Sequence, residues 1–372
     1  MMPSSGIKGI DRKKVQTMGY TAQSLTERVR MGYNIGDCLD AFSRERVTGE
    51  RETPDGLSSE TLWHNPRISD EYVYNVKKAG FDALRLPVTW FNHVEGADHT
   101  IDPEWLDRVQ HLVDVSLDAG LITVLDSHHD VNRYGILPSD EYHDSSVKYI
   151  TDIWSQIARR FAGYDSRLVM ESFNEVRLPR DEYEWHADDR VERCRRAILN
   201  INDYNRAFVN AVYSAGGENT DRVLMTEGYA ACIQGFMSEY FELPETAPGK
   251  LMLSWHCYGP VEFCFRLENG ENYSEFDPEH PKSLKFIHDF EDMERKFISK
   301  GIPVWLTEWG SVNKDGNLSH RIAHAKWTRE LCRRYHATAL WWDNGKYSDF
   351  ALADRKTGEF TEHELLAAIL GK

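Results

Sequence analysis

Short apolar runs alternate along the chain with longer stretches in which apolar residues recur every three or four positions. The short runs predict buried strands, and the longer stretches predict helices that bury one face. Strands are predicted at residues 31–36, 81–87, 121–126, 168–173, 223–226, 251–255, 302–307 and 338–342. Helices are predicted at residues 70–79, 103–119, 145–161, 191–212, 284–299, 322–335 and 362–370, with a helical turn at 25–30.

This alternation predicts a parallel sheet. Near-continuous apolar strands that are each followed by a helix are typical of sheets covered on both faces. Eight such units close most simply into a single α/β domain, a (β/α)8 TIM barrel. The alternative is an open doubly wound sheet, but residues 36–40 lack the Gly-x-Gly-x-x-Gly turn that this fold favours after its first strand. We expect the barrel at residues 24–372, after an N-terminal lead-in at residues 1–23.

Polar and aromatic residues follow most of the predicted strands. In a barrel of this kind the carboxyl ends of all eight strands surround one pocket. The residues at those ends are Asn34, Asp37, Arg85, Asp126, His128, His129, Asp130, Asn174, Glu175, His256, Tyr258, Glu308, Trp309, Trp342, Asp343 and Asn344. A barrel with only a structural role would not need so many converging charges.

Glu175 and Glu308 each end an apolar stretch, at residues 169–175 and 302–308. Cleaving a glycosidic bond requires one carboxyl group to protonate the leaving oxygen and a second to meet the developing oxocarbenium ion. The two groups need different surroundings, because one must stay protonated and the other ionised. Arg85 is the candidate that holds one of them ionised. The pair predicts hydrolysis of a β-glycosidic bond, and the alternative for each residue alone is an ordinary ion pair.

The chain contains 11 Trp, 17 Tyr and 16 Phe. Most aromatic residues fill the core of a protein, but a sugar ring also stacks its apolar C–H face on them. Trp342, at the end of the eighth strand, is a candidate for such a contact, with core packing as the alternative. Trp63 and Trp185, in the loops after the first and fourth strands, are candidate sugar platforms with the same alternative.

The sequence disfavours metal, redox and serine-hydrolase chemistry. His128, His129 and Asp130 are adjacent, and neighbouring residues on a strand point to opposite faces, so we expect no metal site there. We expect no cofactor either. The six cysteines include no Cys-x-x-Cys pair and are predicted to be buried thiols. No Gly-x-Ser-x-Gly nucleophile turn occurs.

The formal net charge of −16 argues against nucleic acid and anionic membranes as partners, since both require a basic surface. It fits a neutral ligand, such as a polysaccharide or oligosaccharide, bound by a monomer. The basic residues 12–14 are followed by no apolar run, and no stretch reaches the ~18 apolar residues of a membrane span. The sequence therefore predicts a cytoplasmic protein, or a secreted one if a leader has been removed.

Five stretches, in order, resemble one known family. Residues 32–40 are similar to its Gly-Trp-Asn-Leu-Gly-Asn-Thr-Leu-Asp opening, and residues 78–90 to its second-strand signature. Residues 173–177 resemble its Asn-Glu-Pro block, residues 307–310 its nucleophile block and residues 341–345 its eighth-strand block. The family is glycoside hydrolase family 5, and within it subfamily 4 of endoglucanases and xyloglucan-active enzymes. The resemblance covers nearly the whole chain from residue 31.

The resemblance implies a retaining endo-β-1,4-glucanase that needs no cofactor. Its substrates would be cellulose-type glucan, mixed-linkage glucan and xyloglucan. Glu175 would be the acid/base and Glu308 the nucleophile. Arg85 and Tyr258 would hold the nucleophile in place.

The resemblance also implies contacts to the sugar. Asn174 would bind the sugar 2-hydroxyl, and Trp342 would lie beneath the ring. Of the two adjacent histidines we expect His128, rather than His129, to face the pocket. The full set of expected substrate-binding residues is Asn34, Trp63, Arg85, His128, His129, Asn174, Trp185, His256, Tyr258 and Trp342.

Three residues depart from the family pattern. Tyr33 replaces a Trp, Asp37 replaces an Asn, and Val176 replaces the Pro after the acid/base. Asp37 places an additional acid near the sugar-binding side, which leaves the subsite preference open. The alternatives are a β-mannanase or xylanase on the same barrel, a cytoplasmic enzyme acting on imported oligosaccharides, and a catalytically silent sugar-binding barrel. The intact glutamate pair disfavours the silent barrel.

Overall fold

The computed structural model describes residues 19–43, 55–133 and 135–372. Its strands are β1 (Gly32–Ile35), β2 (Ala83–Leu86), β3 (Val94–Glu95), β4 (Thr100–Ile101), β5 (Ile122–Leu125), β6 (Leu168–Glu171), β7 (Leu224–Glu227), β8 (Leu251–His256), β9 (Val304–Trp309), β10 (Thr338–Asp343), β11 (Ala353–Asp354) and β12 (Glu359–Phe360). Strands β1, β2 and β5 to β10 are parallel and close into a barrel in chain order, with β10 pairing back to β1. The predicted (β/α)8 barrel is confirmed.

The helices surround this barrel. They are α1 (Ala22–Thr26), α2 (Asp70–Ala79), α3 (Pro103–Asp118), α4 (His143–Arg160), α5 (Glu192–Ser214), α6 (Ile233–Met237), α7 (Val261–Cys264), α8 (Pro281–Lys296), α9 (Leu318–Arg334) and α10 (His363–Leu370). The longer helices bury their apolar faces in one large cluster with the outward-facing strand residues. None of the helices formed by the described residues has both the length and the apolar character of a membrane span.

Local signals in the sequence set the helix ends. The side chain of Ser69 accepts the N–H of Tyr72 at 3.2 Å and so caps α2, which Gly80 ends with a φ of 122°. Pro103 opens α3, where a proline sacrifices no hydrogen bond because the first N–H groups of a helix have no partner within it.

A second, smaller apolar cluster fills the inside of the barrel. The strands contribute the inward-facing residues Ala83, Ile122, Val124, Val169, Val223, Met225, Met252, Trp305 and Leu340. Ala22 and Leu25 of α1, together with Val29, pack onto this cluster from below. The indole N–H of Trp305 donates to the hydroxyl of Thr26 at 2.9 Å. Helix α1 therefore covers the end of the barrel opposite to the carboxyl ends of the strands.

Some boundaries and small elements differ from the predictions. The helical turn predicted at residues 25–30 is α1, three residues earlier, so the predicted border at residue 24 falls inside this helix; residues 1–18 lie outside the described residues. The two-stranded sheets β3–β4 and β11–β12 and the short α6 and α7 were not predicted, because elements this short show no hydrophobic period. All six cysteines are free; four are buried as predicted, and Cys232 and Cys257 are half-buried.

Candidate active site

The carboxyl ends of the barrel strands bring the predicted site residues together. Asn34 of β1 pairs in register with Arg85 of β2 and with Trp342 of β10. His256, the last residue of β8, pairs with Glu308 of β9 across a register shift. These residues therefore line one mouth of the barrel, as the strand-end argument predicted.

Arg85 lies at the centre of the site and is fully buried. Its Nε and Nη2 donate to the two oxygens of Glu171 at 2.7 and 3.1 Å, and Nη2 also lies 2.8 Å from Asp126. On the other side Nη1 donates to Glu308 Oε1 at 2.8 Å, and Nη2 donates to the side-chain oxygen of Asn174 at 2.8 Å. Burial alone would lower the pKa of Arg85, but the surrounding carboxylates raise it well above its ordinary value.

Glu308 receives hydrogen bonds on both oxygens. Arg85 donates to Oε1, and the hydroxyl of Tyr258 donates to Oε2 at 2.9 Å. His128 Nε2 lies 3.8 Å from Oε1, and His256 Nδ1 lies 3.6 Å from Oε2. Burial raises the pKa of Glu308 above its ordinary value, although the charges of His256 and Arg85 act in the opposite direction. The group is thus desolvated and still held by two donors.

Glu175 follows β6 in a left-handed backbone conformation, with a φ of 50°. One of its oxygens lies 2.8 Å from Nδ1 of His256, and its main-chain carbonyl accepts a hydrogen bond from Arg177 at 2.9 Å. Burial raises the pKa of Glu175, but the hydrogen bond and charge of His256 outweigh it and lower the pKa to about 2. Burial lowers the pKa of His256, whereas Glu308 and Glu175 raise it, with a net increase. The opposite directions of these two pKa shifts favour the imidazolium and carboxylate forms of the pair.

The two glutamates face each other across a short gap. One carboxylate oxygen of Glu175, one of Glu308 and a ring nitrogen of His256 all lie within 4.8 Å of one another. Retaining glycosidases place their two carboxyl groups roughly 5–5.5 Å apart, and inverting ones leave about 6.5–9.5 Å for a water molecule. The observed gap belongs to the shorter class.

An aromatic surface lies beside the glutamates. The indole of Trp342 stacks on the imidazole of His128, with ring centroids 5.5 Å apart and an interplanar angle of 7°. His128 Nδ1 lies 2.7 Å from Asp126, which fixes the orientation of the ring. Gly36 lies directly against the indole, because a Cβ at this position would come within 2.5 Å of two of its ring atoms.

The two adjacent histidines lie close together but face different partners, which corrects the prediction that they point to opposite faces. Their rings lie only 4.4 Å apart, because residues 128 and 129 follow β5 and do not alternate as strand residues do. His129 is directed toward Asp40, at 3.5 Å, and packs against Trp63. One potential ligand atom each of Asp40, His128 and His129 therefore fall within 4.8 Å, contrary to the opposite-face reasoning. Asp40 also accepts the main-chain N–H groups of Asp37 and Cys38, at 3.1 and 2.8 Å, so it anchors the loop after β1.

A cavity of about 800 Å³ adjoins the site on the β1 and β10 side. Its lining includes Trp63, Phe42 and Leu62. Asp37 and Lys346 also line it and are joined by an ion pair of 2.7 Å. Because the extra acid at residue 37 is paired with a lysine, this wall of the cavity carries a compensated charge.

The other expected contacts are also located. Trp185 is 55% exposed, and the guanidinium of Arg177 lies 4.0 Å from the centre of its ring, so Trp185 is not a core residue. Tyr33 is fully buried and donates to Asp343 at 2.5 Å, away from the glutamates. Val176 is also buried. The departures at residues 33 and 176 therefore lie in packing positions.

The expected substrate-binding set omitted three buried acids, of which only Asp126 was among the predicted strand-end residues. Asp126, Glu171 and Glu227 are fully buried and contact Arg85, His128 or Glu175. A period-two reading of the strands would have found two of them. Glu171 shares the inward face of β6 with Val169, and Glu227 shares the inward face of β7 with Met225.

Comparison with known proteins agrees with this geometry. The sequence model of the cellulase family, glycosyl hydrolase family 5, matches residues 47–348. Endoglucanase 1 of Ruminococcus albus is 34% identical over 352 residues, which cover 93% of this chain and 80% of the relative. The chain therefore belongs to glycosyl hydrolase family 5, and it is a glycoside hydrolase of the cellulase type.

Two solved structures are similar over nearly their full length. A family 5 lichenase from a Caldicellulosiruptor species has a TM-score of 0.88 and 33% identity, with 99% of this chain and 98% of that chain covered. A subfamily 4 broad-specificity endoglucanase from Ruminococcus champanellensis, with bound cellotriose, has a TM-score of 0.86 and 31% identity, with 95% and 99% covered. The recognised subfamily 4 is supported by this second structure.

Proposed function

We propose that Glu308 is the nucleophile and Glu175 the acid/base of a double-displacement reaction on β-glucan chains. The enzyme is an endo-β-1,4-glucanase, and we assign its catalysis to these two residues. The observation that carries the assignment is the contrast between the two glutamates. Glu308 is held by a guanidinium and a phenol, whereas Glu175 is paired with an imidazole that can exchange a proton with it.

In the first step a carboxylate oxygen of Glu308 attacks the anomeric carbon while the bond to the leaving oxygen breaks. Glu175 gives its proton to that oxygen, so the shortened chain leaves as an alcohol. Arg85 and Tyr258 keep the attacking carboxylate in place until its charge passes into the new bond. In the second step water attacks the same carbon, Glu175 takes up its proton, and the bond to Glu308 breaks. Two inversions give net retention.

The proton for the first step comes from His256 in this proposal. The free site holds an imidazolium and a carboxylate 2.8 Å apart, as the opposite pKa shifts of His256 and Glu175 indicate. Transfer of one proton along this hydrogen bond produces the neutral carboxylic acid that a leaving oxygen requires. Expulsion of water by the sugar favours the transfer, because a desolvated site disfavours separated charges.

The aromatic residues supply the sugar contacts. Trp342 and His128 form one stacked surface beside the glutamates, and Asn174 offers a fixed amide next to Arg85. Trp63 borders the cavity on one side of the glutamates, and Trp185 stands exposed on the loop that also carries Arg177. We infer that a glucan chain crosses the mouth between these two tryptophans. Similarity to the lichenase and to the broad-specificity endoglucanase supports mixed-linkage and cellulose-type chains as the substrates of this enzyme.

The test has two arms. NMR of the first product from a mixed-linkage β-glucan is expected to show the β-anomer, and an α-anomer appearing first would refute the double displacement. Reducing-sugar release from barley β-glucan, carboxymethyl cellulose, xyloglucan, mannan and xylan is expected to favour the glucans. Preference for mannan or xylan would refute the substrate proposal while leaving the two glutamates in their roles.

A further inference from the structure

Glu227 is a third buried carboxyl group beside the two glutamates, and the reaction described above gives it no part. It ends β7 and is fully buried. Its Oε2 accepts the main-chain N–H of Glu175 at 2.7 Å, and its Oε1 accepts the hydroxyl of Ser254 at 3.2 Å. The same Oε1 lies 3.7 Å from Nε2 of His256.

The first of these contacts acts on the backbone of the acid/base. Glu175 has a φ of 50°, a backbone conformation that residues other than glycine rarely adopt unless the surrounding structure imposes it. The hydrogen bond from its N–H to Glu227 is such a constraint, since a charged or polar acceptor is fixed in front of the strained residue. Without this acceptor the peptide before Glu175 is free to rotate, and the carboxyl group moves with it.

The second contact acts through the imidazole. His256 directs Nδ1 to Glu175, at 2.8 Å, and its Nε2 has no hydrogen-bond partner within the part of the chain that the structure describes. That Nε2 faces Glu227, so the ring lies between two carboxyl groups. Three groups this close titrate as a unit, in which a proton lost by one is replaced from the next.

We propose that Glu227 is a positioning residue of the acid/base, which fixes the main chain of Glu175 and, through His256, sets the supply of the proton that Glu175 delivers. Four charged or titratable groups face it: Arg85 from β2, Glu171 from β6, Glu175 after β6 and His256 from β8. Burial raises the pKa of Glu227 well above its usual value, and the charge of Glu171 adds to the increase. Glu227 can therefore hold a proton at a pH where an exposed glutamate has lost it.

This arrangement predicts the direction in which replacing Glu227 shifts the pH profile. Replacing Glu227 by glutamine removes one proton-binding site and one negative charge from the unit, whichever of its members carries the last proton. That proton then leaves at a lower pH. The alkaline limb of the pH profile of kcat/KM, which reports loss of the acid in the free enzyme, must shift downward.

The experiment compares two substrates and rests on the roles proposed above for Glu175 and Glu308. Cellotetraose needs a proton on its leaving oxygen, whereas 2,4-dinitrophenyl β-cellobioside has a leaving group that departs without one. In Glu227→Gln we expect the alkaline limb with cellotetraose to move down by about one pH unit. In Glu227→Leu we expect kcat/KM to fall about 100-fold with cellotetraose and less than about 5-fold with the dinitrophenyl substrate.

Three controls keep the outcome decisive. Asp289→Asn removes another buried carboxyl group, on α8, and should leave both profiles unchanged. Thermal melting of each variant identifies a folding defect, which would lower kcat/KM for both substrates in parallel. Glu175→Gln must show the same selective loss on cellotetraose; if it does not, the acid/base assignment fails, and Glu227 loses its role with it. Suppose that Glu175→Gln behaves as expected. The proposal for Glu227 alone is then overturned if both Glu227 variants keep the alkaline limb of the wild type, or if both lose kcat/KM equally on the two substrates.

Discussion

The guanidinium of Arg85 donates to Oε1 of Glu308 at 2.8 Å, from a position that water does not reach. The same group is held from behind by Glu171 and Asp126. The position of the proposed nucleophile is therefore determined in part by two buried acids that hold Arg85. An arginine fits this task because its planar fork serves several carboxylates at once, which a lysine cannot do.

Arg85→Met should be severely destabilised as well as inactive. It leaves the buried carboxyl groups of Glu171 and Asp126 without their cation, and breaking such a buried network costs about 3–5 kcal/mol. Urea unfolding monitored by tryptophan fluorescence measures the change in the free energy of unfolding. Arg30→Met, which removes a mostly exposed partner of Asp82, is the matched control and should change it by less than about 1 kcal/mol. Equal effects in the two variants would contradict this prediction.

Tyr258→Phe should lower kcat/KM without unfolding the protein. The hydroxyl donates to a carboxylate of Glu308 at 2.9 Å, and hydrogen bonds to charged groups contribute about 1.5–3 kcal/mol, which corresponds to roughly 10- to 150-fold in rate. Initial rates on cellotetraose measure the loss. The exposed Tyr74 supplies the control, Tyr74→Phe, for which no change is expected. A loss below about threefold would show that Arg85 alone holds the nucleophile.

Gly36→Ala should damage the proposed sugar site through packing alone. Its new Cβ would come within 2.5 Å of the Trp342 ring, so the indole must move from its stack on His128. Forcing a methyl group into packed space costs typically about 1–3 kcal/mol, which predicts a loss in kcat/KM of roughly 5- to 150-fold when that cost falls on the position of Trp342. Gly163→Ala is the matched control, because nothing lies within 4 Å of its added Cβ. Wild-type kinetics in Gly36→Ala would mean that the position of Trp342 is unimportant.

Trp185→Ala should affect binding rather than the chemical step. The ring is exposed and backed by the Arg177 guanidinium, so it offers a face to a sugar and little to the core. Losing one stacking contact of about 0.5–1.5 kcal/mol predicts a rise in KM of roughly 2- to 12-fold on long cello-oligosaccharides, at constant kcat. Tyr347→Ala, at another exposed aromatic residue, is the comparison. A fall in kcat with unchanged KM would place Trp185 outside the substrate path.

The pair of His256 and Glu175 predicts a pH-dependent contribution to stability. The pKa of His256 is raised above 6.5, despite burial, by Glu308 and Glu175, so its contribution is full below pH 6.5 and is lost as the pH rises through the raised value. The pKa of Glu175 is lowered from 4.5 to about 2, so its contribution is full above pH 4.5 and is lost as the pH falls toward about 2. The pair thus stabilises the fold most between these limits.

His256→Asn tests this pH window. The difference in free energy of unfolding between wild type and the variant, from urea titrations, should be larger at about pH 5 than at about pH 9. His363→Asn, at an exposed histidine of α10, controls for the general effect of removing an imidazole. A difference that stays constant across this range would show that folding does not shift the pKa of His256.

Much of the fold followed from hydrophobic period alone, because each barrel strand is a short apolar run and each long helix has one apolar face. Glu175 and Glu308 stood out because each is a charge that ends an apolar run, and Arg85 stood out because it is a charge within one. Glu227 was missed because no residue at the end of the fifth strand was selected, although this acid directly follows the predicted strand at residues 223–226 and shares the inward face of Met225.

Other features depend on contacts that sequence spacing does not encode. The proximity of His128 to His129 arises where the chain leaves β5, and strand alternation gave the wrong expectation there. Glu175, in its left-handed conformation, donates its main-chain N–H to an acceptor 52 residues away in the chain. Neither relation has a local signature, since each results from how the closed barrel brings distant segments together.

Helix α1 covers one end of the barrel, and the two glutamates occupy the other. The candidate active site and helix α1 are consequently on opposite sides of the barrel. An immobilising tether or a fused carbohydrate-binding module attached at the surface of α1 would therefore leave the proposed site accessible to an insoluble glucan surface, whereas an attachment on the loops after β6 or β8 would stand in its way.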